Sequence, residues 1–176
     1  MKVLVIAERT DAARELCAGA RTMADEVVLV SFGEAPEAVA DKIARISVPE
    51  GTVLDDAADT VISVFDAEAP AVVLVEPTRH MKTIAGKLAA HANASDVMSF
   101  ENGAVSLYFG GVAERVQKAA GDVAIYTVGA GAFEGAEASG ANAVEDVAWV
   151  APATPVKLVS SKPIEKSGVD LNKADV

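Results

Sequence analysis

The run AVVLV at residues 71–75, closed by Glu76-Pro77 and followed by a helical pattern, constrains the fold more than any other stretch. Five apolar, mostly β-branched residues in succession are what a strand covered on both faces requires. Pro77 ends the run because it lacks the amide that a ladder needs. Beyond it Met81, Ile84, Ala85, Leu88 and Ala89 fall at offsets 0, 3, 4, 7 and 8, one stripe of a helix, with Thr78 placed to cap it. A central strand running into a helix is therefore expected. Residues 76–80 then lie at the carboxyl end of a strand and the amino end of a helix, where open α/β sheets place their ligands.

The same alternation runs through the first half of the chain. Residues 2–7 and 27–32 repeat the buried-strand pattern, and residues 11–24 put Ala12, Leu16, Ala20 and Met23 near one helical face. Residues 33–42 have the composition of a short helix, residues 43–48 alternate as a strand, and Pro49-Glu50-Gly51 reads as a turn. Ala58, Val61, Ile62 and Phe65 mark a helix over residues 55–67. Strands alternating with helices predict an α/β fold: a doubly wound, mostly parallel sheet in a three-layer, Rossmann-like domain.

The rhythm changes after residue 94. Residues 96–100 and 104–109 read as two strands joined through Glu101-Asn102-Gly103, a strong hairpin signal. A helix is expected over residues 112–119, strands over 122–128 and 144–150, and a Gly- and Ala-rich loop over 129–140. From Pro152 on, three prolines and many polar residues suit an extended linker.

Composition narrows the function. With 51% hydrophobic residues among 176, the chain can bury a sizeable core. Fifteen basic against 26 acidic residues leave a charge of −11, which opposes a phosphate backbone and argues against nucleic acid. No apolar run approaches the roughly 18 residues that span a bilayer, and the first ten residues read as a strand rather than a signal peptide. A cytoplasmic protein without membrane insertion is expected. Cys17, the single cysteine, falls in an Ala-rich helical pattern and reads as a small core residue.

Motifs that would carry chemistry are sparse. The glycines at 129, 131 and 135 miss the dinucleotide spacing by one place, and no phosphate loop of the GxxxxGK[ST] type occurs. His80 and His91 have no cysteine pair near them, so no metal site is expected, and His91 suits a helix C-terminus. No catalytic constellation can be read from spacing, and the chain is not expected to be an enzyme. The candidate ligand contacts are Glu8 and Arg9 after the first strand and Thr78, Arg79 and His80 after the central one. Adjacent ends of those strands would form a switch point able to take a phosphate such as that of AMP, or an acidic residue of a partner.

Residues 76–101 (EPTRHMKTIAGKLAAHANASDVMSFE), Leu107-Tyr108-Phe109-Gly110-Gly111, Thr127-Val128 and Gly131-Ala132-Phe133 occur in an order that resembles the electron transfer flavoprotein alpha subunits, also called the FixB family. Residues 167–176 are similar to the family's approach to its second, FAD-binding domain. The resemblance implies an adenine-nucleotide alpha-hydrolase-like domain over residues 1–151 and a linker over 152–176. It implies FAD for the family, held by a domain outside this sequence, so its flavin contacts map to no residue here. It also implies a beta-type partner subunit that holds AMP or a second flavin and, through the complex, a dehydrogenase. The expected role is a scaffold and partner-binding domain in electron transfer within a flavoprotein heterodimer. The stretches 108–112 and 129–133 are candidate docking surfaces. The alternative is a free-standing adenine-nucleotide-binding domain.

Overall fold

The computed structural model describes residues 1–90, 93–100, 103–118 and 121–163. Strands β1 (Lys2–Ala7), β2 (Glu26–Ser31), β3 (Lys42–Ile46), β4 (Val72–Val75), β5 (Asn93–Val97), β8 (Ala124–Val128) and β9 (Ala143–Val147) form one sheet in the order β5-β8-β4-β1-β2-β3-β9. Every neighbouring pair is parallel. Helix α1 (Thr10–Met23) covers one face, and α2 (Ala58–Glu68) and α3 (Arg79–Leu88) cover the other. The expected doubly wound, three-layer α/β domain is what forms.

The two-residue period of the strands divides the core. Leu4 and Ile6 of β1 pack with Val61, Met81 and Ile84 beneath α2 and α3, whereas Val3 and Val5 pack with Leu16 and Cys17 of α1. Strand β4, expected at the centre, is third in the order, and β1 holds the central place. Burying a leucine or isoleucine in these layers contributes about 1.5–3 kcal/mol each. Cys17 is a core residue, and burial pushes its thiol up to about 12, against a smaller lowering by Arg21.

Two crossovers lack the helices that local composition favours. Residues 33–41 form an irregular segment in which Ala38 adopts φ 52°. Asn142, a hundred residues away, accepts from the amides of Val39 and Ala40 at 3.0 Å each and donates to the Pro36 carbonyl at 2.8 Å. A side chain thus supplies the bonds a helix would have made. Residues 113–117, expected as helix, are instead β7 (Ala113–Gln117), paired antiparallel with β6 (Ala104–Tyr108) in a separate two-stranded ribbon. Gly110 and Gly111 take φ of 68° and 92° at its tip, a reversal that suits glycine and turns the chain back on itself.

Among the described residues, the hairpin expected between residues 96–100 and 104–109 shows one antiparallel bridge, Ser99 to Val105. The strand there, Asn93–Val97, starts three residues earlier and joins the main sheet beside β8. Glu101 and Asn102 of the expected turn, and His91, lie outside the described residues. After β9, Trp149 packs on the α2–α3 side of the core, and the amides of Val150 and Val156 donate to Thr60 and to the buried Asp56, each at 2.9 Å. At the opposite end of the sheet, Glu68 of α2 binds Lys2 at 2.7 Å and Lys42 at 2.6 Å.

Candidate functional site

Strands β1 and β4 are neighbours with Ile6 level with Val75, and the chain leaves them toward opposite sides of the sheet. Their carboxyl ends form the switch point that the sequence predicts. The Glu76 amide extends the ladder to the Ile6 carbonyl at 3.0 Å, which turns its side chain back beneath the start of α1. Its carboxylate is fully buried. One oxygen accepts from the amides of Glu8 at 2.8 Å and Arg9 at 3.1 Å, and the other accepts from the Arg9 guanidinium. Hydrogen bonding to Glu76 outweighs desolvation and holds that guanidinium still more firmly protonated.

These two amides, of the N-cap Arg9 and the residue before it, stand at the mouth of the α1 N-terminus, where phosphates are commonly held. Glu76 already takes them. The space beside them is a cavity of about 90 Å³, lined by Arg9, Asp11, Glu15, Glu76, Pro77 and Gly129 among others. Three carboxylates against one guanidinium repel a further anion, and ligand pockets generally run to about 300–1,000 Å³. By itself, at about 90 Å³, the crevice is smaller than the usual pocket for FAD or AMP.

The five residues that the sequence singles out divide four ways. Glu8 and Arg9 converge on Glu76. Thr78 caps α3, accepting from the Met81 amide at 3.2 Å. His80 turns to Asp55 of the short 3-10 turn Leu54–Ala57, Nδ1 to Oδ2 2.6 Å, and ties that turn to α3. Burial alone would raise the Asp55 pKa, but hydrogen bonds from His80 and Thr83 more than offset it and leave the carboxyl below its ordinary range. Arg79 is exposed and makes no ion pair among the described residues. Glu76, the acceptor at the centre of the crevice, is not among those five. Its signal was an acid set directly after a wholly apolar run.

The glycine-rich loop is a packing device. The Phe133 ring lies so close to Gly19 of α1 that a Cβ there would come within 2.2 Å of it. Phe133 also stacks on Phe100 with centroids 5.3 Å apart, and Phe100 meets Tyr126 edge-on. Of the two candidate docking stretches, 129–133 packs Ala132 and Phe133 against the core while Ala130 and Gly131 stay exposed. In residues 108–112, Phe109 is 86% and Val112 87% exposed at the ribbon tip.

The ribbon is rooted beside the crevice. Asp96 accepts from the Thr127 hydroxyl and lies 3.4 Å from Lys82, and its carbonyl accepts from Ser106 of β6. These groups border a cavity of about 290 Å³ that shares Pro77 and Gly129 with the smaller one. A larger cavity, about 500 Å³, lies away from the switch point, near Phe32, Glu34, Glu37 and Arg45. Arg45 there is already bound to both oxygens of Asp146. Among the described residues no cluster of His, Cys, Asp and Glu could hold a metal, and no helix is long and apolar enough to cross a membrane.

Fold and crevice together define a doubly wound, Rossmann-like α/β domain in which a buried carboxylate of the chain itself accepts from the amides just ahead of α1. The particular relatives are proteins named FixB. The one from Escherichia coli O127:H6 is 26% identical over 190 residues, covering 98% of this chain and 61% of the relative. The one from Salmonella typhimurium strain LT2 is 28% identical over 177 residues, covering 91% and 56%. The chain is thus similar to proteins named FixB over most of its own length, and it spans only those shares of the relatives' length. No protein-family model matches it.

Proposed function

We propose that this chain acts as the N-terminal scaffold and partner-binding domain of an electron transfer flavoprotein alpha-type protein. Residues 1–151 form the domain, and 152–176 serve as a linker toward a flavin-binding domain. It docks a beta-type subunit and positions redox groups held elsewhere in the complex, with no reaction of its own. The observation that carries this reading is Glu76. A domain whose own carboxylate is buried against the amides just ahead of α1 is built to be rigid at the switch point, not to exchange a nucleotide there. The FixB relatives and the apolar ribbon tip support the docking role.

Co-expression with a beta-type subunit tests it. A complex should form, and Phe109→Ser with Val112→Ser should abolish it while leaving the isolated chain folded. Purified chain should carry no stoichiometric flavin in its visible spectrum. A flavin bound to the single chain, or no complex with any beta-type subunit tried, would overturn the reading.

A further inference from the structure

We propose that β7 pairs antiparallel with β7 of a second copy of this chain, about a two-fold axis at Val116, joining two ribbons into one four-stranded sheet. This goes beyond the docking role above and uses a different surface, the strand edge and not the ribbon tip.

The ribbon is an incomplete structure by itself. Two antiparallel strands are marginal in water unless a further strand or a packed face supports them. The body holds the ribbon at β6, through the Ser99–Val105 bridge and the Ser106 bond to Asp96. The outer edge of β7 meets no strand among the described residues, and Ala113, Glu114, Arg115 and Val116 are all exposed. An open edge of this kind is a template for another strand.

Charge selects the occupant. Side chains two apart share a face, so Glu114, Val116 and Lys118 lie on one side of β7. With Val116 opposite Val116 of the second copy, Glu114 of each chain stands opposite Lys118 of the other. Neither residue makes an ion pair among the described residues. Two-fold registers centred on Glu114 or Arg115 would oppose like charges, and those centred on Ala113 or Gln117 would pair no charges at all. The Val116 register also extends an apolar row. Val105 is already level with Val116, so the row becomes Val105, Val116, Val116, Val105 across four strands. The overall charge of −11 per chain opposes dimers at long range, but at physiological salt it is screened beyond about 8 Å, while pairs in contact persist.

Sedimentation equilibrium of the purified chain, with no other subunit present, tests this. Wild type should show a monomer–dimer equilibrium. Lys118→Glu should weaken the dimer about tenfold, because the symmetry changes two cross-strand pairs at once. Glu114→Lys should do the same, and the double swap should restore the dimer. Both sites of change are exposed, and far-UV circular dichroism verifies that the variants fold. A chain that stays monomeric at every concentration, or a dimer indifferent to the single substitutions or not rescued by the double one, would overturn the proposal. Neither result bears on binding of a beta-type subunit.

Discussion

Replacing Glu76 with alanine leaves the amides of Glu8 and Arg9 without their acceptor at the head of α1. Hydrogen bonds to a charged group contribute about 1.5–3 kcal/mol each, so the two amides account for about 3–6 kcal/mol. The Arg9 guanidinium adds little, at most about 1 kcal/mol, since its side chain is 56% exposed and can return to water. Water entering the vacated space recovers part of the loss, and the expected cost is about 3–5 kcal/mol. Glu76→Gln keeps one acceptor oxygen and should cost about half as much. In urea, with a slope of about 2 kcal/mol per molar, the alanine variant's midpoint should fall by about 1.5–2.5 M at unchanged slope. Inorganic phosphate at about 10 mM should then raise the midpoint of Glu76→Ala and leave wild type unmoved, because only the variant has free amides. A loss below about 0.5 kcal/mol, or equal stabilisation of both proteins by phosphate, would refute the assignment of Glu76 as the built-in anion.

Gly140 and Gly19 should differ under the same substitution. A Cβ at Gly140 would meet the Ala40 carbonyl oxygen at 2.0 Å, a backbone contact that cannot rotate away, so Gly140→Ala should cost more than the roughly 1–3 kcal/mol expected of Gly19→Ala against the Phe133 ring; thermal unfolding ranks the two. Burial would raise the Glu68 pKa, but Lys2 and Lys42 more than cancel that and hold it down. Its contribution to stability is therefore fully present above the unfolded value of about 4.3 and fades as pH falls through the lower folded value, and Glu68→Gln should flatten the stability profile in that acid window. Cys17, buried and with its thiol raised to about 12, should resist a thiol reagent in the native protein and react at once in denaturant.

The parts of the fold that were legible were those decided locally. Residues 71–75 and the Met81–Ile84–Leu88 stripe needed only their own periodicity, and Thr78 needed only the residue three places on. The errors came from distant partners. Residues 113–117 contain good helix formers, and nothing in that segment reveals that β6 pairs with it, although Gly110-Gly111 marked the reversal. Residues 33–42 read as a short helix because Asn142, which takes over the amides of Val39 and Ala40 within them, is far along the chain. The site was legible to the same depth. The switch-point rule brought Glu8 and Arg9 to the end of β4, but the inward turn of the Glu76 carboxylate depends on burial, which no spacing encodes.

The pairing of β9 with β3 joins Arg45 to a residue 101 positions later. During synthesis at about 5–20 residues per second, one flank of β3 therefore waits on the order of 5–20 s on the ribosome for its neighbour to emerge. Through that interval the nascent sheet carries a bare ladder of Ile43 and Ile46 in a crowded cell. Holdase chaperones, or a slowed codon stretch placed elsewhere, would change the yield of this protein most by acting within it.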